Sequence, residues 1–384
     1  MEKVRVGIIG MGNMGAYHAD YLLKGKVNRC ELTAVCSTSP QKLEKYKPVA
    51  IFGDGIELIN SGLCDAIMIA TPHYQHASLG VAALEKGLHI MVEKPIAAHK
   101  ADAEKLIEAS KKNSSLVFGA MFQLRTEPRY QKIKSILEKG ELGDIVRMNW
   151  IITDWYRTEA YYQSGGWRAT WKGEGGGVLI NQCLHNLDSL QWLLGMPSKV
   201  RSFCQLGRFH DIEVEDNVTA YLEFPGGATG IFVTSSGEAP GTNRLEIAGT
   251  LGKLVLEKDK ITVVKNEESM ITHCKTSKIG FLKPDVWNCE VPFSDSPAQH
   301  ATLMQNFVNA ILDGEKLICR GEDGLHSIEL ANSILYSSLV DSTVDLPLDS
   351  SAYGAKLNEL IENSTHVKKV AEVSNEDFAK SFNK

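Results

Sequence analysis

The chain has 384 residues, of which 43% are hydrophobic, 23% charged and 8% aromatic, the composition of a folded globular protein and not of a disordered one. A single core rarely grows past about 250–300 residues, so the length predicts two domains. With 41 Lys plus Arg against 47 Asp plus Glu, the net charge is −6, which offers no electrostatic footprint for nucleic acid or an anionic membrane. No apolar run approaches the roughly 20 residues of a bilayer span. Met1-Glu-Lys-Val-Arg-Val-Gly-Ile-Ile opens directly into a strand pattern without a signal-peptide core. The eight cysteines, Cys30 to Cys319, form no C-x-x-C pair. Their irregular spacing reads as small buried hydrophobes in a reducing cytoplasm, ahead of a disulfide framework or a metal site.

In chain order, Val4–Ile9 is a short β-branched run and Asn13–Leu23 has helical spacing. Glu31–Ser37 reads as a strand, Pro40–Tyr46 as a short helix, Asp65–Ala70 as a nearly continuous apolar strand and His73–Lys86 as a helix. Leu88–Val92 is again a strand, Lys100–Asn113 a helix and Leu116–Ala120 a strand. Continuous apolar strands alternating with helices imply a parallel sheet covered on both faces, and right-handed crossovers make it doubly wound. The pattern changes after Gln123. A helix over Glu127–Lys139 leads to strands at Ile145–Asp154, Val200–Leu206, Asn217–Phe224, Ala228–Ser235, Arg244–Ala248, Lys253–Glu257 and Lys260–Lys265. One helix, Gly177–Leu194, interrupts them, and Ala298–Leu312 and Glu322–Ser338 close the series. This predicts an α+β domain on a mainly antiparallel open sheet. The expected division is an α/β domain over 1–122, the α+β domain over 123–366, and a polar, loosely held tail over 367–384.

Gly10-Met-Gly12-Asn-Met-Gly15 is G-x-G-x-x-G, placed directly after the first strand and opening the first helix, the context a dinucleotide fingerprint requires. Gly10 makes the tight turn, Gly12 lets the backbone approach a pyrophosphate, and Gly15 lets helix and sheet pack closely; Asn13 and Met14 lie between. The helix N-terminus then offers unpaired N–H groups and a positive dipole end. The second strand ends at Cys36-Ser37-Thr38-Ser39, with no Asp or Glu to accept from ribose hydroxyls. Ser37, Thr38 and the nearby Lys42 suit a 2′-phosphate, so the cofactor is expected to be NAD(P), with NADP favoured over NAD. The same hydroxyls also suit a helix cap after Pro40. At the end of the fifth strand stands Glu93-Lys94-Pro95. Ligands bind beyond the carboxyl ends of parallel strands, which puts Lys94 where it can hold or deprotonate a substrate hydroxyl. On the predicted helix after Gly173-Glu-Gly-Gly-Gly177, Asn181 and His185 are spaced i,i+4 on one face, and an imidazole suits proton transfer near neutrality.

These residues together resemble the Gfo/Idh/MocA oxidoreductases, NAD(P)-dependent sugar and cyclitol dehydrogenases and reductases. The resemblance runs through Gly10–Gly15, Thr71-Pro72 before His76, Gly87-Leu-His89 into Glu93-Lys94-Pro95, Gly175-Gly-Gly177, His185, Asp188 through Gly195, Glu215-Asp216-Asn217 and Gly249-Thr250. It implies that Lys94 contacts the reacting hydroxyl through a cis Lys94–Pro95 bond and that His185 is the acid/base. The family often has Asp where this chain has Asn181; an amide cannot act as a carboxylate base, so Asn181 is expected only to bind and orient. Thr71, Pro72 and His73 match the loop beside the nicotinamide, with His73 in place of a common asparagine and aimed at substrate, and His76 and Glu93 complete the cofactor set.

Four of the six tryptophans, Trp150, Trp155, Trp167 and Trp171, lie in one window with Tyr156, Tyr161, Tyr162, Arg157 and Arg168. Rings of this kind stack on sugar C–H faces, and they also fill cores. Trp155, Tyr156, Trp167 and Arg168 are therefore candidates for the substrate platform, with Arg125 at the domain junction. The leading expectation is hydride transfer between nicotinamide and a secondary alcohol or ketone of a sugar or cyclitol. A redox-neutral NAD-dependent glycosidase and a non-catalytic sugar or cofactor sensor are the alternatives. An uncovered face of the second sheet predicts a homodimer or homotetramer.

Overall fold

The computed structural model of the chain describes residues 2–39, 43–294 and 299–371. Six parallel strands form the first sheet: β1 (Val4–Ile9), β2 (Cys30–Cys36), β3 (Ala50–Phe52), β4 (Ala66–Ile69), β5 (His89–Val92) and β6 (Phe118–Ala120), in the order β3-β2-β1-β4-β5-β6. Every residue of β4 is buried, as a strand covered on both faces must be. The connecting helices are α1 (Asn13–Leu23), α2 (Gly55–Asn60), α3 (Tyr74–Glu85) and α4 (Lys100–Lys112). The fold of this half is the doubly wound dinucleotide-binding architecture the sequence predicts.

A 3₁₀ turn over Gln123–Thr126 and α5 (Pro128–Glu138) lead into the second half. Its elements are β7 (Ile145–Ile152), α6 (Glu159–Gln163), α7 (Leu184–Leu194), β8 (Lys199–Leu206), β9 (Glu215–Glu223), β10 (Thr229–Ser235), β11 (Asn243–Gly249), β12 (Gly252–Glu257), β13 (Lys260–Asn266), α8 (Met270–Thr276), β14 (Val286–Val291), α9 (His300–Asp313), α10 (Asp323–Leu339), β15 (Val344–Asp345) and α11 (Ser350–Glu362). Nine strands form one sheet in the order β14-β13-β12-β11-β7-β10-β9-β8-β15. Only β7 and β10 pair in parallel; all other neighbours are antiparallel. One face carries Trp150, Ala220 and Phe232, all buried; α10 packs on β8 of this sheet and α7 packs on α10. The other carries Ile151, Phe203 and Tyr221, with Phe203 62% exposed. Helix α9 belongs to the second half in sequence but packs on α1, β1 and β5. No helix among the described residues is long and apolar enough to cross a membrane.

Several expectations are corrected. Of the helix expected over Pro40–Tyr46, only a 3₁₀ turn at Glu44–Tyr46 is seen, and residues 40–42 lie outside the described residues. The helix expected from Gly177 begins at Leu184. The glycine-loop amides are captured elsewhere: the N–H groups of Gly177 and Leu179 donate to the Glu215 carboxylate at 2.8 and 3.1 Å, and that of Val178 to its main-chain oxygen at 2.9 Å. Asn181 therefore sits in turns ahead of α7, not one helical turn below His185. The helix expected over Ala298–Leu312 runs His300–Asp313, with Ala298 outside the described residues. The sequence reading missed β3, β14, β15, α2, α6, α8 and α11. The described part of the expected loose tail, 367–371, is tied down: Lys368 Nζ donates to the Tyr162 carbonyl at 2.7 Å and the Ala371 N–H to the Gln163 carbonyl at 3.0 Å.

Candidate active site

The glycine loop has the shape a pyrophosphate needs. Gly10 has φ +101°, and a Cβ there would lie 2.6 Å from the Ala70 backbone. A Cβ on Gly15 would lie 2.0 Å from the Gly10 oxygen. A Cβ on Gly12 would meet nothing within 4 Å, so that backbone faces open space. Gly12 also caps α1 with no side-chain hydrogen bond, leaving the first-turn amides of Asn13, Met14 and Gly15 for an anion. At the end of β2, Ser37 Oγ accepts from the Ser39 N–H at 3.1 Å, and Thr38 is exposed. Lys42 lies outside the described residues.

The loops after β4 and β5 converge. Thr71 Oγ1 is buried without a partner. His76 lies between the two loops, its Nε2 2.7 Å from the Thr71 oxygen and its Nδ1 2.6 Å from the Pro95 oxygen. Burial lowers its pKa, and the one N–H of the neutral ring donates to one of these carbonyls while the ring sits between Thr71-Pro72 and Glu93-Lys94-Pro95. The Lys94–Pro95 bond is cis. Glu93 turns inward: Oε1 lies 2.7 Å from His18 Nε2, and Oε2 accepts the Lys94 N–H at 3.1 Å. Burial opposes its ionisation, yet the hydrogen bond and charge of His18 hold the carboxyl down to about 2. His18 Nδ1 contacts the Tyr21 hydroxyl at 2.7 Å. This buried Tyr21–His18–Glu93 chain braces the backbone of Lys94 from α1, and the sequence reading did not single out His18.

Lys94 Nζ donates to the Asn181 main-chain oxygen at 2.8 Å and lies 3.5 Å from Asn181 Oδ1. Burial lowers its pKa; Glu93 and Glu174 oppose that, while Arg168 and Arg157 add to it. Asn181 Nδ2 donates to Glu174 Oε1 and to the Tyr161 hydroxyl, the latter at 3.2 Å. His185 is buried, with Nε2 3.3 Å from the Gln123 amide nitrogen and Nδ1 unpartnered. Burial, then the Lys94 charge, keeps its pKa well below the ordinary histidine value, so the ring is neutral at pH 7. The amide contact assigns the proton to Nδ1. His73 is likewise held neutral by burial; its Nδ1 donates to the Glu174 carbonyl at 3.1 Å, and its ring meets that of Trp167 edge-on at 5.5 Å.

The aromatic window divides. Trp167 and Arg168 stand beside His73 and Tyr161. Trp155 Nε1 donates to Asn186 Oδ1 at 3.1 Å, and Tyr156 is 49% exposed. Arg125 is placed differently from the expectation: it is buried, held by both oxygens of Asp188 at 2.8 and 2.7 Å and by Asp323 at 2.8 Å. With its donors taken by carboxylates on α7 and α10, it is a junction strut and not a substrate ligand. Glu174 was also missed, though a single acid inside a glycine run was a visible signal.

The unpaired buried atoms Thr71 Oγ1, Gln123 Oε1 and His185 Nδ1, together with the open backbone at Gly12, are what a nicotinamide dinucleotide and a hydroxylated substrate would satisfy. Among the described residues no group of three or more His, Cys, Asp or Glu is arranged to hold a metal.

Comparison with known proteins agrees with this geometry. Residues 4–120 match the oxidoreductase family with an NAD-binding Rossmann fold, and residues 130–255 match the GFO/IDH/MocA C-terminal domain. The chain is 23% identical over 335 residues to myo-inositol 2-dehydrogenase of Thermotoga maritima, covering 84% of this chain and 92% of that one. It is 25% identical over 349 residues to scyllo-inositol 2-dehydrogenase (NAD(+)) of Bacillus subtilis, covering 86% and 92%. The structure of the WlbA dehydrogenase from Chromobacterium violaceum with NADH and UDP-GlcNAcA is similar with a TM-score of 0.78 at 25% identity, over 91% of this chain and 97% of that one. Two models of one family thus account for the glycine cradle and for the sheet and loops that face it, and the chain belongs to the Gfo/Idh/MocA family of NAD-binding oxidoreductases.

Proposed function

We propose that this oxidoreductase interconverts a secondary alcohol and a ketone on a sugar, sugar derivative or cyclitol. The observation that carries the reading is that Lys94, at the end of β5, lies close enough for its charge to act on His185, a neutral α7 ring with an unpartnered Nδ1 that contacts Gln123 just beyond β6. Bound nicotinamide supplies the chemistry of hydride acceptance from the carbinol carbon. Lys94 binds the substrate hydroxyl and, in its neutral form, takes its proton; burial favours that form. His185 offers its Nδ1–H to the substrate oxygen as a hydrogen bond, and the hydroxyl's one proton stays on Lys94 as the carbonyl forms. Asn181 orients Lys94 through its main-chain oxygen. Trp167 supplies a ring face for sugar C–H groups.

NADP is the favoured cofactor, because hydroxyls and no carboxylate end β2. The preference is modest, since the Asp54 and Glu57 charges reach Cys36 and, after burial, help to lift its thiol to about 11. The open sheet face with Ile151, Phe203 and Tyr221 supports a homodimer or homotetramer. All eight cysteines are free, which supports residence in a reducing cytoplasm. A spectrophotometric screen of NAD and NADP against cyclitols, monosaccharides, sugar acids, sugar phosphates and glycosides tests the reading. Growth of the reduced-cofactor band with a free polyol is expected. Release of sugar from the glycosides with no such band would replace it with the redox-neutral reading.

A further inference from the structure

Eight of the eleven arginines form ion pairs with carboxylates among the described residues. Arg208 stands against Phe209 and forms no ion pair among the described residues. The other two exceptions, Arg157 and Arg168, share one place. Their guanidinium carbons lie 5.1 and 4.7 Å from the centre of the same ring, Tyr161. Arg157 NH1 donates to the carbonyls of Tyr156 at 2.9 Å and Trp155 at 3.5 Å, and Arg168 NH1 to the Tyr161 hydroxyl at 2.9 Å. A guanidinium has five donors, and these contacts occupy one nitrogen on each. Lys368 adds a third cation, its ammonium 2.7 Å from the Tyr162 carbonyl and, among the described residues, in no ion pair.

This cationic group belongs to the candidate site. Both guanidinium charges act on Lys94, and the Tyr161 hydroxyl accepts from Asn181 at 3.2 Å. The carboxylates nearby are engaged. Glu174 is buried against the Ala169 N–H at 2.6 Å and the Asn181 amide, and Glu93 against His18. Around Lys94, Arg157, Arg168 and Lys368 the acids are Glu93, Glu174, Glu159 and Asp211. Glu159 accepts the Asp211 N–H and Asp211 pairs with Lys369, so the two guanidinium groups keep donors that no carboxylate among the described residues fills and that a neutral polyol would not need. Stacking alone explains a single unpaired arginine. It does not explain two on one ring, with free forks, in a chain that pairs nearly every other arginine.

We infer that the substrate carries an oxyanion, a carboxylate or phosphate on its sugar or cyclitol frame, held by Arg157 and Arg168 beside Tyr161. Guanidinium forks match both groups bidentately. The inference rests on the sugar or cyclitol reading above and narrows it.

Equilibrium binding to the full chain, read by quenching of intrinsic tryptophan fluorescence, tests it with glucuronate, glucose 6-phosphate, glucose and myo-inositol. At least one anionic compound is expected to bind about tenfold or more tighter than glucose and to weaken as salt is raised. Arg168→Ala and Arg157→Ala should bring that preference to within about twofold, and Arg168→Lys should keep part of it, because the charge remains and the fork is lost. Thermal melting of each variant separates loss of the site from loss of the fold. The ratio of glucuronate to glucose 6-phosphate binding tells carboxylate from phosphate. Equal or tighter binding of the neutral compounds, no saturable binding of either anion, or an anion preference untouched by both arginine variants overturns the proposal. Parallel turnover assays keep the two readings apart. Oxidation of neutral polyols without anion preference removes the oxyanion and leaves the dehydrogenase. Anion binding through Arg168 with no redox turnover does the reverse.

Discussion

Lys94 reaches from the end of β5 to the Asn181 main-chain oxygen, 2.8 Å away, so the group expected to handle the substrate proton is positioned by backbone that no substitution at 181 removes. Lys94→Ala should therefore lower kcat by about a hundredfold or more while leaving cofactor affinity within about twofold, since the glycine cradle is untouched. Steady-state kinetics beside a titration of reduced-cofactor fluorescence checks this. Unchanged turnover would remove Lys94 from the chemistry.

The sign of the pH dependence follows from the same residue. Burial lowers the Lys94 pKa from its ordinary 10.5, and in the proposed alcohol oxidation the neutral amine is the base. Oxidation should rise with pH and level off below the pH at which an exposed lysine would titrate, while ketone reduction, which needs the protonated amine, should fall over the same interval. A kcat/KM profile in both directions reads this. A flat oxidative profile between pH 6 and about 10 would contradict it.

Asn181 and Glu174 predict a charge-exchange experiment. The Asn181 amide donates to Glu174, whose carboxyl is raised by burial against the charge of Arg168. Asn181→Asp sets two carboxylates against each other and should lower kcat/KM by about tenfold. Adding Glu174→Gln removes the clash and supplies a new donor, and should restore activity to within about threefold of wild type. The double-mutant cycle isolates that coupling; additive losses would show that the two side chains act separately.

The first sheet was legible because its signal is local. Strands such as Ala66–Ile69 are apolar throughout, and the three glycines fall at the turn between β1 and α1 and in the first turn of α1. The site's finer arrangement was not, because its determinants are distant in sequence. Glu215 takes the amides of Gly177 and Leu179 from 38 and 36 residues away, and that capture delays α7 to Leu184. Arg125 looked available until Asp188 and Asp323, 63 and 198 residues on, filled its fork. Helix α11 did carry a local signal, since the Asp349 side chain caps Ser351 and Ala352.

Cofactor choice is tested at the end of β2. Ser37→Asp places a carboxylate where a 2′-phosphate would lie, and should raise the Kd for NADP about tenfold or more while changing that for NAD by less than about threefold. Glu57→Gln should move selectivity the other way by a smaller factor, because its charge already reaches Cys36. Equal effects of Ser37→Asp on both cofactors would remove this strand end from ribose recognition.

Arg125 gives a stability prediction that separates a strut from a ligand. Its guanidinium is bidentate to Asp188, which is fully buried, and it also holds Asp323. Arg125→Ala leaves the Asp188 charge buried without its partner, a change of about 3–5 kcal/mol. Urea unfolding at pH 7 should show that loss, and the loss should shrink as pH falls. Burial pushes the Asp188 carboxyl upward even beside the arginine; without the arginine it rises further and is protonated earlier, which removes the unpaired charge. Below the variant's melting transition, the KM for substrate should stay within about threefold of wild type. A large rise in KM with stability unchanged would return Arg125 to the substrate site.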